Sequence, residues 1–219
     1  HIPLQTVNGV TIAYLSYTEH TNGIPQNSSM QANVIYTSQT DVIEQQVKAA
    51  RQLADFVVVG VHWGVENSHA IADPQRTLAQ NLADWGADLI IGTHPHVLQN
   101  AQWLTAADGR QVFTAYSLGN FISTQEKPDQ LVGAILSLQL EKTTEPDGTV
   151  RCSVLSPRLL PTVTHYDAGK SNVRTYLFRD YTEALTKAHG VRKAYPDFSL
   201  EMIQSIAREN IDPEFLQLT

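Results

Sequence analysis

Cysteine is almost missing from this 219-residue chain. The single thiol, Cys152, excludes an internal disulfide and a cysteine-ligated zinc site, and no base stands beside it in sequence. Long apolar runs are missing as well. Hydrophobic residues make up 42% of the chain, an ordinary core content, yet none of their clusters approaches the roughly 18 consecutive residues of a membrane span. Residues 1–20 lack the charged segment and apolar block of a signal peptide. Basic charge is scarce: 15 Lys and Arg stand against 22 Asp and Glu, for a formal net charge of −7. That balance argues against a generic nucleic-acid binder, which needs a cationic face to displace counterions. Neither a glycine-rich phosphate loop nor a nucleophile elbow is present. Repeats and low-complexity tracts are absent too. An acidic globular chain of about one domain remains.

The pattern of elements changes partway along. Asn8-Gly9 between residues 4–7 and 10–17 is a hairpin signal, because both central positions of the tight turn need positive φ. Thr21-Asn-Gly-Ile-Pro25 reads as loop. Residues 40–54 predict a helix, capped by Thr40 or Asp41, with Ile43, Val47, Ala50 and Ala54 at helical spacing. Phe56-Val-Val-Val-Gly-Val61 predicts a strand buried on both faces. Asp73-Pro74 predicts the start of a second helix, with Asp73 as cap, Leu78 and Leu82 inward and Gly86 as the stop. A strand over 87–92 follows. This alternation implies a parallel or mixed sheet with helices against it. Residues 111–117, 131–140, 151–160 and 174–178 then read as antiparallel-style strands. Two short helices over 180–189 and 197–209 end the chain, the first stopped by Gly190 and the second capped by Asp197 or Ser199.

Chemistry concentrates behind two of the strands. The 56–61 run delivers His62, and Asp88-Leu-Ile-Ile-Gly92 leads into Thr93-His94-Pro95-His96. Open α/β sheets place their ligands at such strand ends. In an extended segment His94 and His96 point to one face, and Pro95 restricts both itself and the residue before it. Neutral imidazole is a common ligand of zinc, iron and manganese-type ions. His62, His94 and His96 are therefore the candidate metal ligands. Glu66 is an outer ligand, a base, a group orienting a histidine, or a plain surface carboxylate. Asn120, in Ser117-Leu-Gly-Asn-Phe121, either aims its amide at a phosphate or ligand or is a turn asparagine. Thr93 and Gln99 are weaker candidates. His1, His20, His69, His165 and His189 read as ordinary polar residues.

Taken in order, His62-Trp-Gly-Val-Glu66, Pro74-Gln75, Gly86 to Gln99 and Tyr116-Ser-Leu-Gly-Asn-Phe121 resemble the bacterial poly-γ-glutamate capsule synthesis (CapA-type) proteins. Val7 to Thr18, Asn22-Gly23 and Leu160-Pro161 fit as well, so the resemblance runs from about residue 5 to about 178. It implies an α/β (α+β) fold of the calcineurin-like metallophosphoesterase type, a sandwich of two mixed sheets flanked by helices. In that fold a strand-end histidine and a Gly-x-His-x-His element supply the later ligands of a two-metal centre, and His62, His94 and His96 match them. The earlier motifs do not precede residue 56: Gly-Asp, Asn-x-Glu, and Asn-His followed by Asp.

The expectation is thus residues 1–179 as the C-terminal part of such a domain, and 180–219 as a helical appendage. The start at His1-Ile-Pro-Leu, without Met, points to a fragment or processed product. The expected function is metal-dependent phosphoesterase-like chemistry in capsule or cell-envelope polymer biosynthesis, with Glu66 and Asn120 beside the metal. The alternative is a non-catalytic scaffold or export component with a structural metal. The expected cofactor is one or two divalent ions (Mn, Zn or Fe), the second needing ligands outside the chain. Expected partners are the N-terminal portion or a complementary chain, and an anionic polymer or phosphoester substrate. The expected location is the extracytoplasmic envelope, anchored through an N-terminal segment.

Overall fold

The computed structural model describes residues 1–24 and 33–219. Pro25, the last residue of the expected loop, lies outside them. Two sheets stack, and helices cover them. In the first, β1 (Leu4–Val7) and β2 (Val10–Thr18) form the hairpin around Asn8 and Gly9, whose φ angles are 52° and 80°. β3 (Phe56–His62), β4 (Leu89–Thr93), β5 (Leu98–Thr105) and β6 (Gln111–Leu118) complete it. The spatial order is β1-β2-β3-β4-β6-β5. β2, β3, β4 and β6 are parallel, and β1 and β5 are antiparallel edges. α1 (Thr40–Leu53) and α2 (Asp73–Trp85) make the crossovers. The second sheet is antiparallel throughout: β7 (Val132–Thr144), β8 (Val150–Asp167) and β9 (Ser171–Leu177). A single turn, α3 (Pro128–Leu131), leads into it.

Period-two alternation assigns each strand residue to one of two cores. Ala13, Leu15 and Tyr17 of β2 and Val57, Val59 and Val61 of β3 face the helices, where Ile43, Val47, Leu78 and Leu82 meet them. Phe56, Leu89, Phe113 and Ala115 face the other way, onto Val132, Leu159 and Val163 of the second sheet. The unbroken β-branched run of β3 has this as its cause: both faces are covered. α4 (Glu183–Ala188) and α5 (Leu200–Asn210) follow β9, and Ile203 and Ile206 join the core between the sheets. The tail pairs with β8, Leu159 N–H donating to the Phe215 carbonyl at 2.8 Å and Gln217 N–H to Leu159 at 3.0 Å. No helix among the described residues is long and apolar enough to cross a membrane.

Several local expectations are corrected. β5 has no counterpart among the expected strands; its Gln, Asn and Ala are poor strand formers, and pairing with β6 overrides them. Ala72, not Asp73, is the cap of α2, and the Gln75 side chain accepts the Ala72 N–H at 2.9 Å. Thr40 and Asp41 lie inside α1, behind Gln39. Gly190 opens a 3-10 turn instead of ending a helix, because His189 caps the turn by accepting the Val191 N–H at 2.9 Å. Ser199 caps α5.

Candidate metal centre

All four parallel strands end at the same edge, and each contributes to one cluster. Thr18 of β2 lies level with His62 of β3, and His62 with Thr93 of β4. His20, His62 and His94 therefore leave neighbouring strands at one height. β6 ends at Leu118, two residues before Asn120. β4 can sit this close to β6 because residue 92 is glycine. A methyl there would overlap the Tyr116 carbonyl and the Trp63 indole nitrogen, which are hydrogen-bonded to each other at 2.9 Å.

The His94-Pro-His96 segment is not extended, contrary to the expectation. His94 has φ 100° and His96 φ 62°. The topology explains it: after β4 the chain must pass over the end of β6 and reverse, because β5 pairs on the far side of β6. Residues 94–97 make that crossing. The Pro95 carbonyl accepts the Asn67 N–H at 2.8 Å, and the Ser117 hydroxyl donates to the Val97 carbonyl at 2.7 Å. Positive φ at a non-glycine residue costs on the order of 1–3 kcal/mol, a strain that persists where surrounding structure imposes it.

The rings nonetheless converge, through the turn and not through a shared strand face. Ring centroids are 4.3 Å apart for His62–His94, 4.4 Å for His20–His94 and 5.9 Å for His94–His96. Burial, followed by the neighbouring imidazoles, lowers the pKa of both His62 and His94. Both are thereby kept neutral, with a lone pair to donate. Tautomers follow from the partners. The Thr18 hydroxyl donates to the His20 carbonyl at 2.8 Å, so it accepts from His62 Nδ1 at 3.2 Å and leaves Nε2 of His62 for a ligand. Asn120 Oδ1 takes His96 Nδ1–H at 2.9 Å, with the same effect on His96.

Asn120 spends its amide hydrogens inside the protein, on the His96 carbonyl at 3.2 Å, Gln130 at 3.0 Å and Gln125 Oε1 at 2.6 Å. Glu66 is exposed, and its carboxylate lies within 4.8 Å of the donor nitrogens of His94 and His96. The Thr93 hydroxyl points back to the Val61 carbonyl at 3.4 Å. Gln99 is buried behind the site, accepting from Gln75 and donating to Ser68 and Ala70. His69 donates Nδ1–H to the Leu98 carbonyl at 2.7 Å, away from the cluster.

The donor atoms form two groups sharing His94: His20, His62 and His94, and Glu66, His94 and His96, each mutually within 4.8 Å. Neutral imidazoles plus one carboxylate suit a divalent transition ion, so the residues present fit such a group. Sequence reasoning missed His20. A signal exists, since His20 stands two residues past a strand, but only the β2–β3 pairing makes that position equivalent to His62.

The chain is 35% identical over 153 residues to the PGA biosynthesis protein CapA of Bacillus subtilis (strain 168), covering 70% of this chain and 38% of that protein. It is 36% identical over 136 residues to the capsule biosynthesis protein CapA of Bacillus anthracis, covering 57% of this chain and 30% of that one. The chain thus spans about a third of the length of these relatives. The solved structure of Haemophilus influenzae NAD nucleotidase (NadN) overlays with a TM-score of 0.40 at 13% identity, covering 99% of this chain and 38% of that one. Residues 1–125 match the family model described as bacterial capsule synthesis protein PGA_cap, and the chain belongs to that family.

Proposed function

We propose that this chain carries the ion-holding part of a metal-dependent phosphoester hydrolase of the metallophosphoesterase type, working in the biosynthesis of a capsule or cell-envelope polymer. The observation that supports this most is the convergence of His62 on His94, and of His94 on His96 and Glu66, behind the ends of parallel strands. Poly-γ-glutamate is the polymer the resemblance suggests, and the envelope is the location that goes with it. In this reading any membrane anchor and the further ligands of any second ion belong to other parts of the protein or to a complementary chain.

His62, His94 and His96 hold the ion (zinc, manganese or iron) in this reading. A bound divalent ion supplies Lewis acidity and lowers the pKa of water. Asn120 acts as a positioning residue, fixing His96 by accepting its Nδ1–H. Glu66, exposed at the rim, is placed to take a proton from water or to orient an anionic substrate. The net charge of −7 would repel such a substrate, and cationic charge concentrated at this edge would offset that.

A second reading is a scaffold or export component that keeps its metal for structure. It is favoured by the donor inventory, in which Glu66 is the one carboxylate grouped with the histidines among the described residues. Metal analysis of the purified full-length protein, followed by hydrolysis of a bis-aryl phosphate with manganese or zinc, separates the two. Turnover that falls at least a hundredfold in His94→Ala supports the hydrolase. Tight ion binding with no turnover supports the scaffold, and no ion binding sinks both.

A further inference from the structure

We infer that His20 is a metal ligand, and that His20, His62 and His94 form a three-imidazole site selective for one zinc-class ion. The inference rests on the ion-holding reading above but adds a ligand and a selectivity to it.

Three observations carry it. First, the donor nitrogens of these residues lie within 4.8 Å of one another, and the three rings face each other pairwise, His20–His62 at 5.3 Å. Ligand nitrogens around a tetrahedral zinc stand roughly 3.3 Å apart, as zinc–nitrogen bonds of about 2.0–2.1 Å require. Side-chain rotation closes that gap. Second, the His20 backbone is tied to the exit of β3 on several sides. The Thr18 hydroxyl that grips the His20 carbonyl also accepts from the His62 ring, so one group sets both ligands. Glu19 N–H donates to the His62 carbonyl at 2.7 Å, and the Glu19 carboxylate accepts the Gly64 N–H at 2.8 Å. Third, the His20 ring is not spent elsewhere: neither nitrogen hydrogen-bonds to a described residue. A hollow of about 350 Å³ lined by Glu19, His20, Thr21, Gly23, Ile24 and Tyr36 opens beside it and gives an ion a way in.

Selectivity follows from the donors. Three neutral imidazoles suit zinc, cobalt and nickel, whereas magnesium and calcium require oxygen ligands. The second group holds a carboxylate and two imidazoles, and both groups need His94.

The test is titration of the purified, metal-stripped protein with zinc and with cobalt, in wild type, His20→Ala, His20→Gln and His69→Ala. His20→Ala is expected to weaken the tightest zinc site at least tenfold, remove the intense visible bands of tetrahedral cobalt and abolish the zinc-induced rise in Tm. His20→Gln, which preserves a polar loop residue, is expected to do the same. His69→Ala, which removes a ring bonded to the Leu98 carbonyl away from the cluster, is expected to leave all three readouts intact, and millimolar magnesium should not compete. Zinc affinity within tenfold of wild type in both His20 variants overturns the inference, as does retention of the tetrahedral cobalt bands in both. All readouts are of binding, so absence of phosphoesterase turnover would sink the hydrolase reading and leave this one standing.

Discussion

The two ends of the six-stranded sheet are built to opposite rules. At the carboxyl end, imidazoles are crowded together with donor nitrogens within 4.8 Å of one another, and His94 and His96 sit on backbone at positive φ. At the amino end the buried charge is matched. Asp88, buried at the start of β4, accepts from Arg51 at 2.6 Å, Arg110 at 3.2 Å and the Val57 N–H at 2.7 Å. Burial pushes its carboxyl pKa up, and the two guanidiniums pull against that. The same arginines satisfy helix-end carbonyls: Arg51 donates to Ala54 at 2.7 Å and to Asp55, and Arg110 to Ala83 at 2.9 Å and Ala87 at 2.8 Å. These carbonyls lie at or just past the ends of α1 and α2, where intrahelical partners run out, and Ala83 also accepts the Gly86 N–H at 3.2 Å. One end satisfies its polar groups internally, and in the proposed reading the other keeps imidazole nitrogens for an ion.

The largest test of this contrast is Asp88→Asn. Removing the charge leaves Arg51 facing a neutral amide, while Arg110 keeps Asp108 at 2.7 Å; the partly exposed guanidiniums hold the loss to the lower figure for breaking a buried pair, about 3 kcal/mol. Urea denaturation should show a loss of that size, with zinc affinity unchanged. A loss below about 1 kcal/mol would mean the amino end is not the clamp described.

A second test asks whether histidine in this chain can also serve the internally satisfied rule. His189 donates Nε2–H to the Thr164 carbonyl at 3.0 Å and accepts the Val191 N–H on Nδ1. Burial pushes its pKa down from 6.5 to about 4. The folded state therefore holds His189 neutral at pH values where the unfolded chain binds a proton. The sign is fixed: stability is full above about pH 6.5, declines as pH falls, and stops declining below about 4. The His189 share is on the order of 3 kcal/mol across that window. His189→Gln should be less stable at pH 8 and should show a flatter stability profile between pH 6.5 and 4. An unchanged slope would show that other groups govern acid sensitivity.

The same contrast explains what the sequence disclosed. β3 and β4 were legible because strands buried on both faces need unbroken apolar runs, and His62, His94 and His96 were legible because they directly succeed those runs. β5 was not, since Leu98-Gln-Asn-Ala-Gln-Trp carries little strand preference and its identity comes from β6. The His94 turn was invisible for a topological reason: nothing local says that the chain must cross β6. His20 was hidden by distance, 42 residues from His62 and joined to it only by strand pairing. Asn120 was found as a residue but not as a partner of His96, a bond between groups 24 residues apart. Local pattern reveals elements and the residues at their ends, while pairings between remote strands decide which polar residues meet.

The smallest expected effect isolates the strain at the carboxyl end. His94→Ala and His94→Gly both delete the ligand, so both should abolish tight zinc binding. They lose the same ring contacts, which cancel when the two are compared. What differs is the backbone at φ 100°, which alanine tolerates poorly and glycine adopts freely. Relief of such strain is worth on the order of 1–3 kcal/mol. The extra freedom of unfolded glycine opposes it by roughly 0.5–1 kcal/mol. Strain relief wins, and metal-free His94→Gly should be more stable than metal-free His94→Ala by about 1 kcal/mol in urea denaturation. Were alanine the more stable, the turn over β6 would be relaxed, and the carboxyl end would hold its histidines together without backbone cost.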